Sequence, residues 1–229
     1  MIIECKKISK KYDDFVALHD INIKIESGKI IGLLGSNASG KTTLIKLING
    51  LLTPTSGSVL INGKKPGIES KKIISYLPEK TYLSMNMKVN EVLRYFKDFY
   101  DDFDLSKAEE LLKKLDIGIE TRLKTMSKGT KEKVQLILVM SRKADLYVLD
   151  EPIGGVDPAT RDYILDTILN NFNKDASILI STHLIADVER ILDEVIFISK
   201  GKIVLNENAD KLREEKKKSI DMIFREMFK

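Results

Sequence analysis

The spacing of apolar and polar residues changes period several times along this chain, and each change marks an element. Residues 2–5 are a short apolar run that predicts an opening strand. Ile21, Ile23 and Ile25 alternate with Asn22, Lys24 and Glu26. That period of two predicts a strand with one wet face, and so an antiparallel opening sheet. Gly28 turns the chain into a continuous apolar run over residues 30–34, the pattern of a strand covered on both faces. Leu44, Leu47 and Ile48 follow at helical spacing. Pro54-Thr55-Ser56-Gly57 predicts a turn, residues 58–61 a strand, and Asn62-Gly63 a hairpin. Residues 73–77 predict a further strand, closed by Pro78.

From about residue 80 the period lengthens. Val92, Leu93, Phe96, Phe99 and Tyr100 recur at helical spacing, and Ser106-Lys107-Ala108-Glu109 predicts a capping box that opens a helix carrying Leu111, Leu112 and Leu115. Residues 126–130 lead into a helix that is apolar nearly all round over 134–140. Residues 80–142 therefore predict a helical subdomain inserted between strands. Strand character returns at 146–149 and again at 177–181, which ends on Thr182-His183. Between them Asp157-Pro158 predicts a helix start, Asp as N-cap and Pro at the first helical position, with Ile164, Ile168 and Phe172 inside. Residues 195–199 and 202–205 predict a hairpin about Lys200-Gly201, and Ile220, Ile223, Phe224, Met227 and Phe228 an amphipathic tail helix.

The stretch between the 30–34 run and the following helix is Gly35-Ser36-Asn37-Ala38-Ser39-Gly40-Lys41-Thr42-Thr43, which fits the phosphate-binding P-loop. Its glycines let backbone approach a polyphosphate, and its N–H groups and the helix N-terminus supply partial positive charge. Lys41 reaches the outer phosphates, and the Thr42 hydroxyl is a ligand for Mg²⁺. By itself the loop means only a nucleoside triphosphate: kinases, GTPases, motors and transporters share it. The fold class it implies with the pattern above is α/β, a P-loop NTPase core with a mostly parallel sheet, an N-terminal antiparallel β-subdomain and an inserted helical subdomain. Four hydrophobic residues followed by Asp150-Glu151 match a Walker B strand, with Asp150 for the Mg²⁺ shell and Glu151 for the attacking water; an acidic pair at a strand end is the plainer reading of those residues alone.

Composition narrows the class further. The chain has 229 residues, 43% of them hydrophobic, ample for a core. The 38 Lys and Arg exceed the 34 Asp and Glu by too little, and too diffusely, to point to nucleic acid. A single cysteine, Cys5, excludes an internal disulfide framework and reads as a small apolar filler of the first strand. No run of eighteen apolar residues and no signal-peptide layout is present, so the expectation is a cytosolic protein that reaches a membrane only through a partner.

Taken in order, these motifs resemble those of the nucleotide-binding subunit of ATP-binding-cassette (ABC) transporters, across residues 2–206. Tyr12 stands where the family has an aromatic residue that stacks on adenine. Gly35 to Thr43 corresponds to Walker A, Leu77-Pro78-Glu79 to the Gln loop, and Ser127-Lys128-Gly129-Thr130 to the signature loop, usually Leu-Ser-Gly-Gly-Gln. Asp150 and Glu151 correspond to Walker B, Gly155-Val156-Asp157-Pro158 to the D-loop, and His183 to the switch histidine. The resemblance implies an ABC ATPase domain over 1–206 and a C-terminal helical tail over 207–229. It implies ATP and Mg²⁺ as cofactors, Glu151, His183 and Lys41 as catalytic groups, and Thr42, Glu79 and Asp150 around the metal. It also implies a sandwich dimer with a second copy or a homologous ATPase subunit, enclosing two ATP. In that dimer one subunit's signature loop faces the other's Walker A. A separate transmembrane permease would hold the pair at the cytoplasmic face of the membrane.

The chain departs from the family at two places. Glu79 replaces the usual glutamine, and Lys128 and Thr130 replace a glycine and a glutamine of the signature. Within transporters Leu77-Pro78-Glu79 and Ser127-Lys128-Gly129 resemble subunits of exporters of antibiotics, peptides or lipids more than importers. Tyr82, Leu83, Met85 and Met87 are equally a permease groove or subdomain core, and His19 reads as structural. The rival class is a soluble ABC ATPase of a non-transport machine, such as iron–sulfur assembly.

Overall fold

The computed structural model describes residues 1–173 and 175–228. The first two strands, β1 (Ile3–Tyr12) and β2 (Phe15–Ile25), form an antiparallel hairpin, with β4 (Ser56–Ile61) on the other side of β1. In the second half of β2 the predicted alternation holds: Ile21, Ile23 and Ile25 are buried while Asn22 and Lys24 are exposed. The opening strand runs seven residues past the predicted end at Cys5, because the β1–β2 register shifts between Cys5 and Ile8 and twice more before Tyr12. Lys7 takes a positive φ of 48° in the first of these irregularities, so no simple period of two survives in the sequence there. Cys5 fills the core at 2% exposure, and burial pushes its thiol up to about 12.

The second sheet has six strands in the order β5 (Ile74–Leu77), β6 (Leu146–Asp150), β7 (Ser177–Thr182), β3 (Ile30–Leu34), β8 (Glu194–Ser199) and β9 (Lys202–Asn208). All its pairings are parallel except β8–β9. Every residue of β3, β6 and β7 is buried, as continuous apolar runs require. Ile31 and Leu33 face a core shared with α1 (Lys41–Ile48) and the antiparallel sheet. Ile30 and Leu34 face the opposite core, shared with later helices.

Two local expectations need correcting. Asn62 and Gly63 both have positive φ, 46° and 75°, the chemistry of a primed turn, yet no second strand follows. One bridge, Ile61 to Lys64, closes the turn. Pro66 then lacks an N–H for a ladder and the chain enters α2 (Ile68–Ile73), which the pattern did not predict. The second correction concerns the capping box. Helix α3 (Val89–Phe99) precedes α4 (Leu105–Lys114), whose cap is Asp104, accepting from Lys107 N at 3.0 Å; Ser106 lies inside the helix.

Helices α3, α4 and one face of α5 (Lys128–Met140) enclose a third apolar cluster. Val134, Ile137 and Leu138 of α5 belong to it, while Leu136, Val139 and Met140 pack against the large sheet. That double duty is why α5 is apolar all round. Leu83 is buried in the helical cluster and Met85 and Met87 pack on it, whereas Tyr82 is exposed. Arg142, 3% exposed, ties this segment to the sheet. Its guanidinium pairs with Asp102 at 3.0 and 3.1 Å, donates to the Ile74 and Lys72 carbonyls at 2.5 and 2.7 Å, and lies 3.8 Å from the Tyr100 ring centroid.

Helix α6 (Pro158–Asn171) starts as predicted, Asp157 accepting from Thr160 N at 3.0 Å. Short α7 (Ile185–Val188) follows β7. Two helices, α8 (Ala209–Lys216) and α9 (Ile220–Met227), close the chain. Ile220 and Ile223 are buried in the sheet's core, and Phe224 meets Phe197 edge-on at 5.2 Å between centroids. The tail helix thus packs on its own chain.

Candidate active site

The parallel strands bring the candidate groups together at their carboxyl ends. The loop after β3 folds tightly: a Cβ on Gly35 would stand 2.4 Å from the Ile198 carbonyl oxygen, and Gly40 has φ 112°, open to glycine but strained for other residues. No side chain caps α1, so the N–H groups of its first turn remain for an anion. Lys41 is the first residue of that helix and is 5% exposed. Its ammonium donates to the Gly35 and Ser36 carbonyls at 2.8 and 3.2 Å and pairs with Glu151 Oε1 at 3.2 Å.

Asp150 ends β6, and its register partner on β7 is Ser181. Asp150 Oδ1 accepts from Ser181 Oγ at 2.5 Å and from Thr42 Oγ1 at 3.4 Å. Its other oxygen, Oδ2, is buried without a partner. Burial raises the Asp150 carboxyl above its usual range; the Ser181 and Thr42 bonds oppose this, and the Glu79 and Glu151 charges add to it. A buried carboxylate with one orphaned oxygen, a threonine hydroxyl beside it and Glu79 on the same cavity is a donor set of hard oxygens that fits Mg²⁺.

Glu151 follows in a left-handed conformation, φ 52°, which turns its side chain off the strand line. Its Oε2 meets His183 Nδ1 at 3.0 Å, so Lys41, Glu151 and His183 form one connected chain of groups. All three line a cavity of about 710 Å³ with Tyr12, Thr42, Glu79 and Asp150.

A family model described as ABC transporter matches residues 18–154. The ABC transporter ATP-binding protein YtrB of Bacillus subtilis (strain 168) is 32% identical over 219 residues, covering 93% of this chain and 74% of that protein. The chain belongs to the ABC transporter family. The lantibiotic transport ATP-binding protein SrtF of Streptococcus pyogenes is 28% identical over 91% of this chain and 92% of its own length. A solved structure described as the ATP binding subunit of an ABC transporter superposes with a TM-score of 0.87 at 28% identity, each chain covered in full. As an ABC ATP-binding subunit the protein binds and hydrolyses ATP.

Not every residue of the ABC motifs meets this cavity. Lys128 lines it, but Ser127, Gly129, Thr130 and Asp157 do not. Ser127 is the N-cap of α5, its Oγ 3.1 Å from Thr130 N and 2.8 Å from Thr130 Oγ1. Gly129 has no positive φ, and a Cβ there would approach nothing closer than 3.6 Å. Lys128 is exposed and reaches the Gly155 carbonyl at 3.3 Å and Glu132 at 3.7 Å. The Thr160 hydroxyl and N–H hold the Asp157 carboxyl below its usual range.

Sequence reasoning missed two residues of the site. Ser181 orients Asp150 from the neighbouring strand, a relation only register reveals. Phe15 lines the cavity beside Tyr12; the signal was its place three residues on, across the Asp13-Asp14 turn, but it required β1 to be read through to Tyr12.

Proposed function

We propose that this chain is the ATPase half of an exporter, two copies, or this chain and a homologous ATPase subunit, closing on two ATP to drive a separate membrane permease. The observation that carries the catalytic part is the convergence of Lys41, Glu151 and His183 within 3.2 Å links beside an uncapped helix N-terminus. The α1 N–H groups and Lys41 hold the β- and γ-phosphates. When they arrive they compete with Glu151 for the lysine, which frees that carboxylate to take the attacking water's proton. His183 then meets the γ-phosphate oxygens with a ring N–H. Thr42, Asp150 and Glu79 hold Mg²⁺ directly or through water, and bound there the ion neutralises charge on the phosphate oxygens. Tyr12 stacks on the adenine.

The signature geometry supports pairing. Nothing in the described chain crowds Gly129, which leaves the backbone there open to a group brought by another molecule. Ser127 and the first turn of α5, a thirteen-residue helix, offer that group an N-terminus aimed outward. Asp157, on the adjoining loop, contacts the same partner.

The permease reading rests on a groove of about 260 Å³ between α3 and the sheet, walled by Leu51, Tyr76, Tyr82, Tyr100 and Arg142, with Tyr95 and Phe99 exposed alongside. No helix of the described residues is long and apolar enough to cross a membrane, and in this reading the path belongs to a spanning partner. The subunit then sits peripherally at the cytoplasmic face, as an ATPase domain over 1–206 with a helical tail over 207–229. Transport names among the relatives favour this over an iron–sulfur or other soluble machine. Support for export rather than import comes from the Leu77-Pro78-Glu79 and Ser127-Lys128-Gly129 loops and from the lantibiotic transport relative. The test of the catalytic assignment is steady-state ATP turnover of Glu151→Gln. It should fall by roughly 100-fold or more with ATP binding kept; wild-type turnover would remove Glu151 from its role.

A further inference from the structure

We infer that Phe15 is a second nucleobase-binding residue, forming with Tyr12 a two-ring seat that grips the base by stacking alone. The inference rests on the ATP-binding reading of the same cavity. Tyr12 and Phe15 are direct partners across the β1–β2 hairpin, on either side of the Asp13-Asp14 turn. Directly opposed residues of an antiparallel pair project to the same face of the sheet, with Cβ atoms about 5 Å apart. Both side chains line the nucleotide cavity, and both are large apolar surfaces left in water, 41% and 65% exposed. Neither ring is covered by the protein's own cores. Lys10, held on the Thr53 carbonyl at 2.9 Å, stands 5.2 Å from the Tyr12 centroid, a cation–π contact that steadies that ring.

The chemistry of this end of the cavity also limits what it can discriminate. The hairpin contributes Tyr12, Phe15 and Ala17 to the lining, and the Tyr12 hydroxyl is the one polar side-chain atom among them. Asp13 and Asp14 of the turn are not part of it. Stacking tolerates any base with a π-face, whereas strong rejection of an analogue needs buried hydrogen-bonding groups left unpaired by it. The seat therefore selects by ring area, purines over pyrimidines, and accepts guanine nearly as well as adenine.

The test is calorimetric titration of the full chain and of Phe15→Ala and Phe15→Tyr with ATP, GTP and inorganic tripolyphosphate. Phe15→Ala should weaken ATP and GTP by roughly tenfold, and Phe15→Tyr should restore both to within about twofold of wild type. Tripolyphosphate, which has no base, should bind wild type and Phe15→Ala alike. Wild type should bind GTP within about tenfold of ATP. Unchanged ATP affinity in Phe15→Ala overturns the inference alone. An equal loss for tripolyphosphate overturns it by showing that the substitution disturbs the phosphate loop. A GTP affinity lower than that for ATP by about 10³ or more overturns stacking as the sole grip. Failure of wild type to bind ATP overturns the nucleotide reading of the cavity and this inference with it.

Discussion

Lys41 and Lys128 are each the first residue of a helix, yet one side chain is 5% exposed and the other 70%. A cation at a helix N-terminus works against the macrodipole, so each needs a reason to be there. Lys41 has its reason inside the chain: two loop carbonyls and Glu151 surround it. Lys128 has only a carbonyl at 3.3 Å and a carboxylate at 3.7 Å, both within reach of water. The same contrast runs through the neighbours. Gly35 and Gly40 are required by their own chain, and Gly129 is not. One end of the site is built and internally satisfied. The other is a capped helix end with space left in front of it, which is what a half-site for a second copy needs.

Changing the built end should do the most. Lys41→Ala removes the buried cation from Glu151 and from the phosphates, and equilibrium dialysis should show ATP affinity falling by roughly 100-fold or more. At the open end, Gly129→Asp places a negative charge where a partner's phosphates would come. Turnover should fall by roughly 100-fold while ATP binding to the single subunit stays within about twofold, because Gly129 lies outside the chain's own nucleotide cavity and a Cβ there approaches nothing closer than 3.6 Å. Equal loss of binding would erase the contrast between the ends.

Arg142→Ala tests whether the helical segment that carries the signature is held rigidly to the sheet. It removes the Asp102 ion pair and one donor each from the Ile74, Lys72 and Lys71 carbonyls, a loss of about 3 kcal/mol that calorimetry should read as a melting temperature lower by roughly 5–10 °C. An unchanged melting temperature would show that the clamp holds nothing. The smallest effect belongs to Glu79→Gln. Glu79 is exposed at the cavity and keeps an amide oxygen after substitution, so measurable ATP turnover should remain; complete loss with the fold intact would make the carboxylate essential.

How much of this could be read before the structure follows from where each interaction lies along the chain. The phosphate loop was legible because its nine residues are contiguous and the apolar run before it is unbroken. The Asp157 cap was legible because cap chemistry spans three residues. Arg142 with Asp102 was not: the two are forty positions apart and each looks like an ordinary surface charge. The Tyr12 and Phe15 pair was hidden by the irregular register of β1, which breaks the alternation that marks strands. The tail's amphipathic pattern was plain, but a pattern names a face and not its neighbour; only the structure puts Ile220 and Phe224 against the sheet and Phe197.

The contrast between a built end and an open end comes down to whether two chains complete one site. Sedimentation velocity of Glu151→Gln, with and without saturating ATP, measures this directly. A monomer of 25.9 kDa without nucleotide and a dimer of twice that mass with ATP is the predicted result. A monomer that persists at saturating ATP, with ATP bound, would contradict completion of the site by a second copy of this chain.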